Sequence, residues 1–195
     1  LEVMQGKSKD EIRNIYRELI VYHELTHIGN HQLTTHPAKA EPEWLKLRFD
    51  YLSRIYNSPQ AGDYIIPQIR DEIAAYASQI SLMSHPKYGI RQIFLNYYSD
   101  KDNRARYQPT NEAESFWPAA IIIERLARQL GLAPQQYDLE AKIGKIIKQP
   151  FALELALPLS EEQLLPRLQA ILAHNDQEIR EAARDIYQAV TGRER

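Results

Sequence analysis

The chain has 195 residues, 44% of them hydrophobic, enough to bury the core of one domain or of one domain with a small appendage. Its 24 basic residues face 26 acidic ones, and a net charge of −2 gives no electrostatic basis for binding nucleic acid or an anionic membrane. No apolar run approaches the roughly 20 residues a bilayer requires, and the absence of cysteine removes disulfides and thiolate metal sites, leaving His, Asp and Glu as ligands.

The sequence opens on Leu1 with no signal peptide, which reads as a processed or excised piece of something longer. Ser8-Lys9-Asp10-Glu11 has the form of a capping box, with Ser8 accepting from an amide three residues on and Glu11 reaching back. Ile12, Ile15, Tyr16, Leu19 and Ile20 then recur at helical spacing, and the same stripe runs on through His23 and His27. Gly29-Asn30 is the expected stop, because both residues tolerate the left-handed conformation that ends helices.

Within that first helix lies Tyr22-His23-Glu24-Leu25-Thr26-His27-Ile28. Histidines four positions apart share one face about a turn from each other, close enough for both to bind one Zn²⁺, while Glu24 projects beside the ion. A hydrolytic zinc site needs two neutral nitrogen ligands, a third ligand from elsewhere and a carboxylate able to take a proton from water.

After a polar loop, Pro42-Glu43 suits the first turn of a second helix, carried by Trp44, Leu47, Arg48, Tyr51, Leu52 and Ile55 and ended at Asn57-Ser58-Pro59. A third runs from about Pro67 to Met83, with Ile69, Ile73, Tyr76, Ala77 and Ile80 on one face, and Ser84-His85-Pro86 breaks it. Glu72 sits on the flank of that face, followed by alanines small enough to let the helix approach the first. A carboxylate so placed is the first choice for the third ligand, and Glu114 or Glu112 is the alternative, although Asn111 and Glu114 also fit a capping box. His31, eight positions after His23, has drifted about 80° around the helix; His36 in the loop and His85 before Pro86 are weaker candidates.

A shorter helix is expected over Ile90 to Tyr98. The next opens at Thr110-Asn111-Glu112, tolerates Pro118 in its first turns and ends before Gly131. From Pro134 onward the chain reads as helices punctuated by Pro150, Pro158 and Pro166, with Asn175-Asp176-Gln177-Glu178 capping the last. Its inward face is Ile179, Ala182, Ala183, Ile186 and Val190. The one strand candidate is Phe151 to Leu155. The expected architecture is mainly α with little or no β-sheet, divided into a metal-binding domain over 1–149 and a helical appendage over 150–195.

His23-Glu24-Leu25-Thr26-His27 resembles the active-site helix of the zincin metallopeptidases, and the Leu-Thr interior is similar to that of thermolysin-like enzymes. Glu72-Ile73-Ala74-Ala75 resembles the gluzincin segment that supplies a third, glutamate ligand, and the long gap from His27 is similar to that of the lethal-factor group of toxin peptidases. The resemblance implies a zincin-like helical metallopeptidase domain in which His23, His27 and Glu72 hold Zn²⁺ and Glu24 is the general base acting on a peptide or protein substrate. It also implies a carbonyl-polarising tyrosine, Tyr64, or Tyr107 if Glu114 were the ligand. The metzincin pattern is unmet, since Asn30 and Leu33 stand where that branch carries glycine and a third histidine. Zincins usually place a small sheet before the metal helix, whereas only 22 residues precede His23. The competing expectation is a helical protein-interaction module carrying a non-catalytic motif, suited by the Glu-, Arg- and Gln-rich outer faces of the C-terminal helices.

Overall fold

A computed structural model describes residues 6–31, 42–56, 66–100, 111–132 and 161–192. Every regular element among them is a helix, as the period of the apolar residues requires. The strand candidate at Phe151 to Leu155 and the boundary drawn near residue 149 lie outside the described residues.

Helix α3, Ile66–Leu82, is the centre of the fold. From Ile73 to Ser81 every residue is buried, and a helix apolar or small on all sides is stable only when other helices surround it. Helices α1 (Lys9–His31), α4 (Pro86–Asp100), α5 (Asn111–Gln129) and α7 (Asp176–Thr191) pack against it, and α2 (Glu43–Tyr56) lies against its N-terminal part. Helix α6, Glu161–Ala173, packs on α5. The main core joins Ile69, Ile73 and Ile80 of α3 to Ile90 and Ile93 of α4, Ile121 and Ile122 of α5, and Ile179 and Ile186 of α7. Gly89 permits the close approach of α4, since a Cβ there would stand 3.1 Å from the Met83 sulfur and 3.3 Å from Ile80.

Local signals account for most of the boundaries. The Ser8 hydroxyl accepts from the Glu11 amide at 3.2 Å and the Ser8 amide donates to Glu11 at 2.7 Å, which completes the expected capping box. Asn175 and Glu178 form a second, and Gly192 ends α7 at φ 69°, its amide donating to the Gln188 carbonyl. Gly131 ends α5 at φ 72°, where the Gly131 and Leu132 amides reach back to Arg128 and Ala127.

Four expectations are corrected. Helix α1 does not stop at Gly29-Asn30 but runs to His31, because the buried Asn30 side chain is committed to α3 rather than to a cap. Pro86 begins α4 instead of merely breaking α3, since a first-turn residue needs no amide hydrogen. Pro166 lies within α6 rather than between helices. Tyr16 and Ile20, expected on the buried stripe, are 51% and 62% exposed. The inward edge of α1 is instead Ile15, Leu19, Tyr22, Thr26 and Asn30, which leaves the two histidines at the boundary between core and solvent.

Candidate metal centre

Helices α1 and α3 bring the expected ligands together. Nε2 of His23 lies 3.0 Å from Nε2 of His27, and the Glu72 carboxylate reaches both rings, Oε2 at 3.3 Å from His23 and Oε1 at 3.3 Å from His27. One donor atom from each of the three falls within 4.8 Å of the others, and among the described residues no other set of three His, Asp or Glu donors draws as close. Tetrahedral coordination with bonds of about 2.0–2.1 Å sets donors about 3.3–3.4 Å apart. The two nitrogens, 3.0 Å apart, stand near that spacing, and each faces a different oxygen of Glu72 at 3.3 Å, so the three groups converge on one point. Two imidazoles and one carboxylate are also a donor set that Zn²⁺ accepts while keeping an open position.

The crossing is held by polar contacts between the same two helices. Buried Thr26 donates from its hydroxyl to the Tyr22 carbonyl or to Ser78 Oγ, both at 2.7 Å. Next to the ligands, Asp71 Oδ2 is 2.7 Å from His27 Nδ1, and its other oxygen accepts from the Asn30 amide at 2.6 Å. The His23 ring packs against the His27 ring edge to face at 4.6 Å and against Tyr76 at 5.0 Å. Its Nδ1 is buried and has no hydrogen-bond partner among the described residues.

Metal-free, the cluster behaves as a set of ion pairs. Asp71 first, and Glu72 second, raise the pKa of His27 from its ordinary 6.5 to about 10, against the opposing effect of burial. Burial pushes the Glu72 carboxyl up, but the contacts with His23 and His27 outweigh it and hold the group at about 2. The positive charge on His27 thus occupies the space a divalent cation would take, and cation and proton compete for the same nitrogen.

Glu24 stands apart from the ligands. It is exposed, one residue on from His23 and so about 100° around the helix, and among the described residues it makes no ion pair or hydrogen bond. His85 is half-buried at the start of α4, its ring edge-on to Tyr88 at 6.1 Å, and is no part of the cluster. The side chains of Glu112, Glu114 and His31, together with Tyr64, Tyr107 and His36, lie outside the described residues.

Sequence reasoning did not single out Asp71 or Asn30 as members of the cluster. Asp71 directly precedes Glu72, and a second acid beside a candidate ligand on the same turn was the available signal. Asn30 carried none, since its side chain has a purpose only once α1 and α3 cross. Comparison with protein-family models, with curated proteins and with solved structures finds no match for the chain, so the centre is read from its own geometry.

Proposed function

We propose that the chain is a zinc-dependent metallopeptidase. The observation that carries this reading is the convergence of His23, His27 and Glu72, one donor atom of each lying within 4.8 Å of the others, on a chain that carries the His-Glu-Leu-Thr-His pattern. When bound, Zn²⁺ would polarise the scissile carbonyl and lower the pKa of a water molecule from 15.7 towards about 7. His23 and His27 would hold the ion through their Nε2 atoms, and Glu72 would supply the anionic ligand that offsets part of its charge.

Glu24 supports hydrolysis over mere metal storage. An exposed carboxylate one residue on from His23, with no ion pair or hydrogen bond among the described residues, is free to accept the proton of an attacking water and pass it to the leaving amine once its rotamer turns towards the cluster. The two rings are partly exposed, 17% for His23 and 23% for His27, so solvent reaches the cluster. The likeness of His23 to His27 to a zincin helix supports a peptide as the substrate.

Zinc content and hydrolysis of a mixed peptide library test the proposal. About one equivalent of zinc in the wild type, with cleavage abolished in Glu24→Gln but zinc retained, is the expected result. A chain that takes up no zinc when supplied with it is instead a helical module, and a Glu24→Gln variant cleaving at the wild-type rate removes Glu24 from the chemistry.

A further inference from the structure

The two histidine ligands are not equivalent. A histidine that binds a cation through Nε2 carries its remaining proton on Nδ1. For His27 that N–H donates to Asp71 at 2.7 Å, and Asp71 is itself fixed by the Asn30 amide at 2.6 Å. For His23 the same N–H is buried with no acceptor among the described residues, and on that side its ring packs against Tyr76 and His27. A buried donor without a partner forfeits its solvation, so ligation through His23 carries a cost that ligation through His27 does not.

We infer that Asp71, braced by Asn30, is a positioning residue that makes His27 the anchoring ligand and leaves His23 the weak arm of the centre. The inference rests on the metal-binding reading above and goes beyond it, because the spacing of the motif treats both histidines alike. The Asp71 carboxylate aims the His27 ring and raises the electron density at its Nε2, as partners of ligating histidines do. Asn30 holds that carboxylate on the far side, so the brace is built from both helices.

The experiment measures zinc affinity by competition with a chromophoric chelator, and the visible absorption of the Co²⁺-substituted protein. Asp71→Ala is expected to weaken zinc binding about 10- to 100-fold, once the affinity is corrected for the protons that zinc displaces, and to shift the Co²⁺ bands, with far-UV circular dichroism unchanged. Asp71→Asn, which keeps the shape and an acceptor oxygen without the charge, gives a smaller loss and provides the readout should the alanine variant not fold. His27→Ala weakens binding at least about tenfold more than His23→Ala. Wild-type protein that binds zinc, with both Asp71 variants within twofold of it and Co²⁺ spectra unmoved, overturns the positioning role. Equal losses in the two histidine variants overturn the inequality. Wild-type protein that binds no zinc overturns the metal reading itself, and this inference with it.

Discussion

Replacing Glu72 with glutamine should cost most of the stability that zinc would confer, because among the described residues Glu72 is the one carboxylate in contact with both rings. The carboxylate is the anionic member of the donor set, 3.3 Å from each ring, and glutamine keeps its shape while removing the charge. At free zinc about 1,000 times the dissociation constant, binding stabilises the native state by about 4.1 kcal/mol. In a chain of this length that is about 8–16 °C in Tm, at about 2–4 °C per kcal/mol. Loss of a direct ligand should exceed the upper end of a partner-residue loss, about 100-fold or 2.8 kcal/mol, which leaves at most about 1.3 kcal/mol and a zinc-induced shift no larger than about 3–5 °C. Differential scanning fluorimetry with and without zinc, beside Glu24→Gln as a control that retains the full shift, measures it. A Glu72→Gln variant with the wild-type zinc shift would refute the assignment of the third ligand, and loss of the shift in Glu114→Ala instead would relocate it.

Removing the Glu24 proton acceptor should lower kcat about 10²- to 10⁴-fold with zinc content unchanged, measured on any peptide the wild type cleaves; an unchanged kcat contradicts the role. The metal-free protein should show a pH-dependent Tm. Glu72, held at about 2 against an ordinary 4.5, contributes stability above pH 4.5 that is lost as pH falls through about 2. His27, raised from 6.5 to about 10, contributes stability below pH 6.5 that is lost as pH rises through about 10. The cluster therefore stabilises the metal-free chain most between about pH 4.5 and 6.5, and zinc should flatten the alkaline decline by replacing the His27 proton; a metal-free Tm independent of pH from 6.5 to 10 opposes this. Ile73→Ala, at a fully buried position of α3, should cost about 2–5 kcal/mol in chemical denaturation, while Ile28→Ala, 67% exposed, should stay within about 0.5 kcal/mol. Asn175→Ala removes the α7 cap and should cost about 0.5–2 kcal/mol; no change in the midpoint would show that the α7 cap contributes nothing.

What could be read from the residues follows from how local each signal is. The facing of His23 and His27 is set by helix geometry alone, and both capping boxes lie within four residues, so these needed no knowledge of the fold. Glu72 was legible because a carboxylate on the flank of an apolar face requires a reason. Pro86 was ambiguous because proline both ends one helix and opens the next, and only the neighbours decide which. Asn30 and Asp71 are 41 positions apart, and their contact exists only through the crossing of α1 with α3. The rotation of α1 was misjudged for a related reason: its apolar residues, Ile20, Leu25 and Ile28 among them, ring most of the helix, so periodicity alone did not choose the buried edge.

That rotation explains how the centre is held. Helix α1 contributes little to the main core, and its own apolar contacts are a small cluster of Ile15, Leu19 and Tyr22 against Met83 and Tyr88. Much of its remaining attachment is polar: Thr26 to Ser78, His27 and Asn30 to Asp71, and Glu18 to the Ser84 amide and hydroxyl. Apolar packing is non-directional and tolerates a sliding or rolling helix, whereas hydrogen bonds of 2.6–2.9 Å fix both distance and rotation. The bonds that dock α1 are therefore the ones that set the spacing of the two imidazoles against Glu72. Any cation taken up by His23, His27 and Glu72 spans that same joint, and so adds its binding free energy to the docking of α1 on α3.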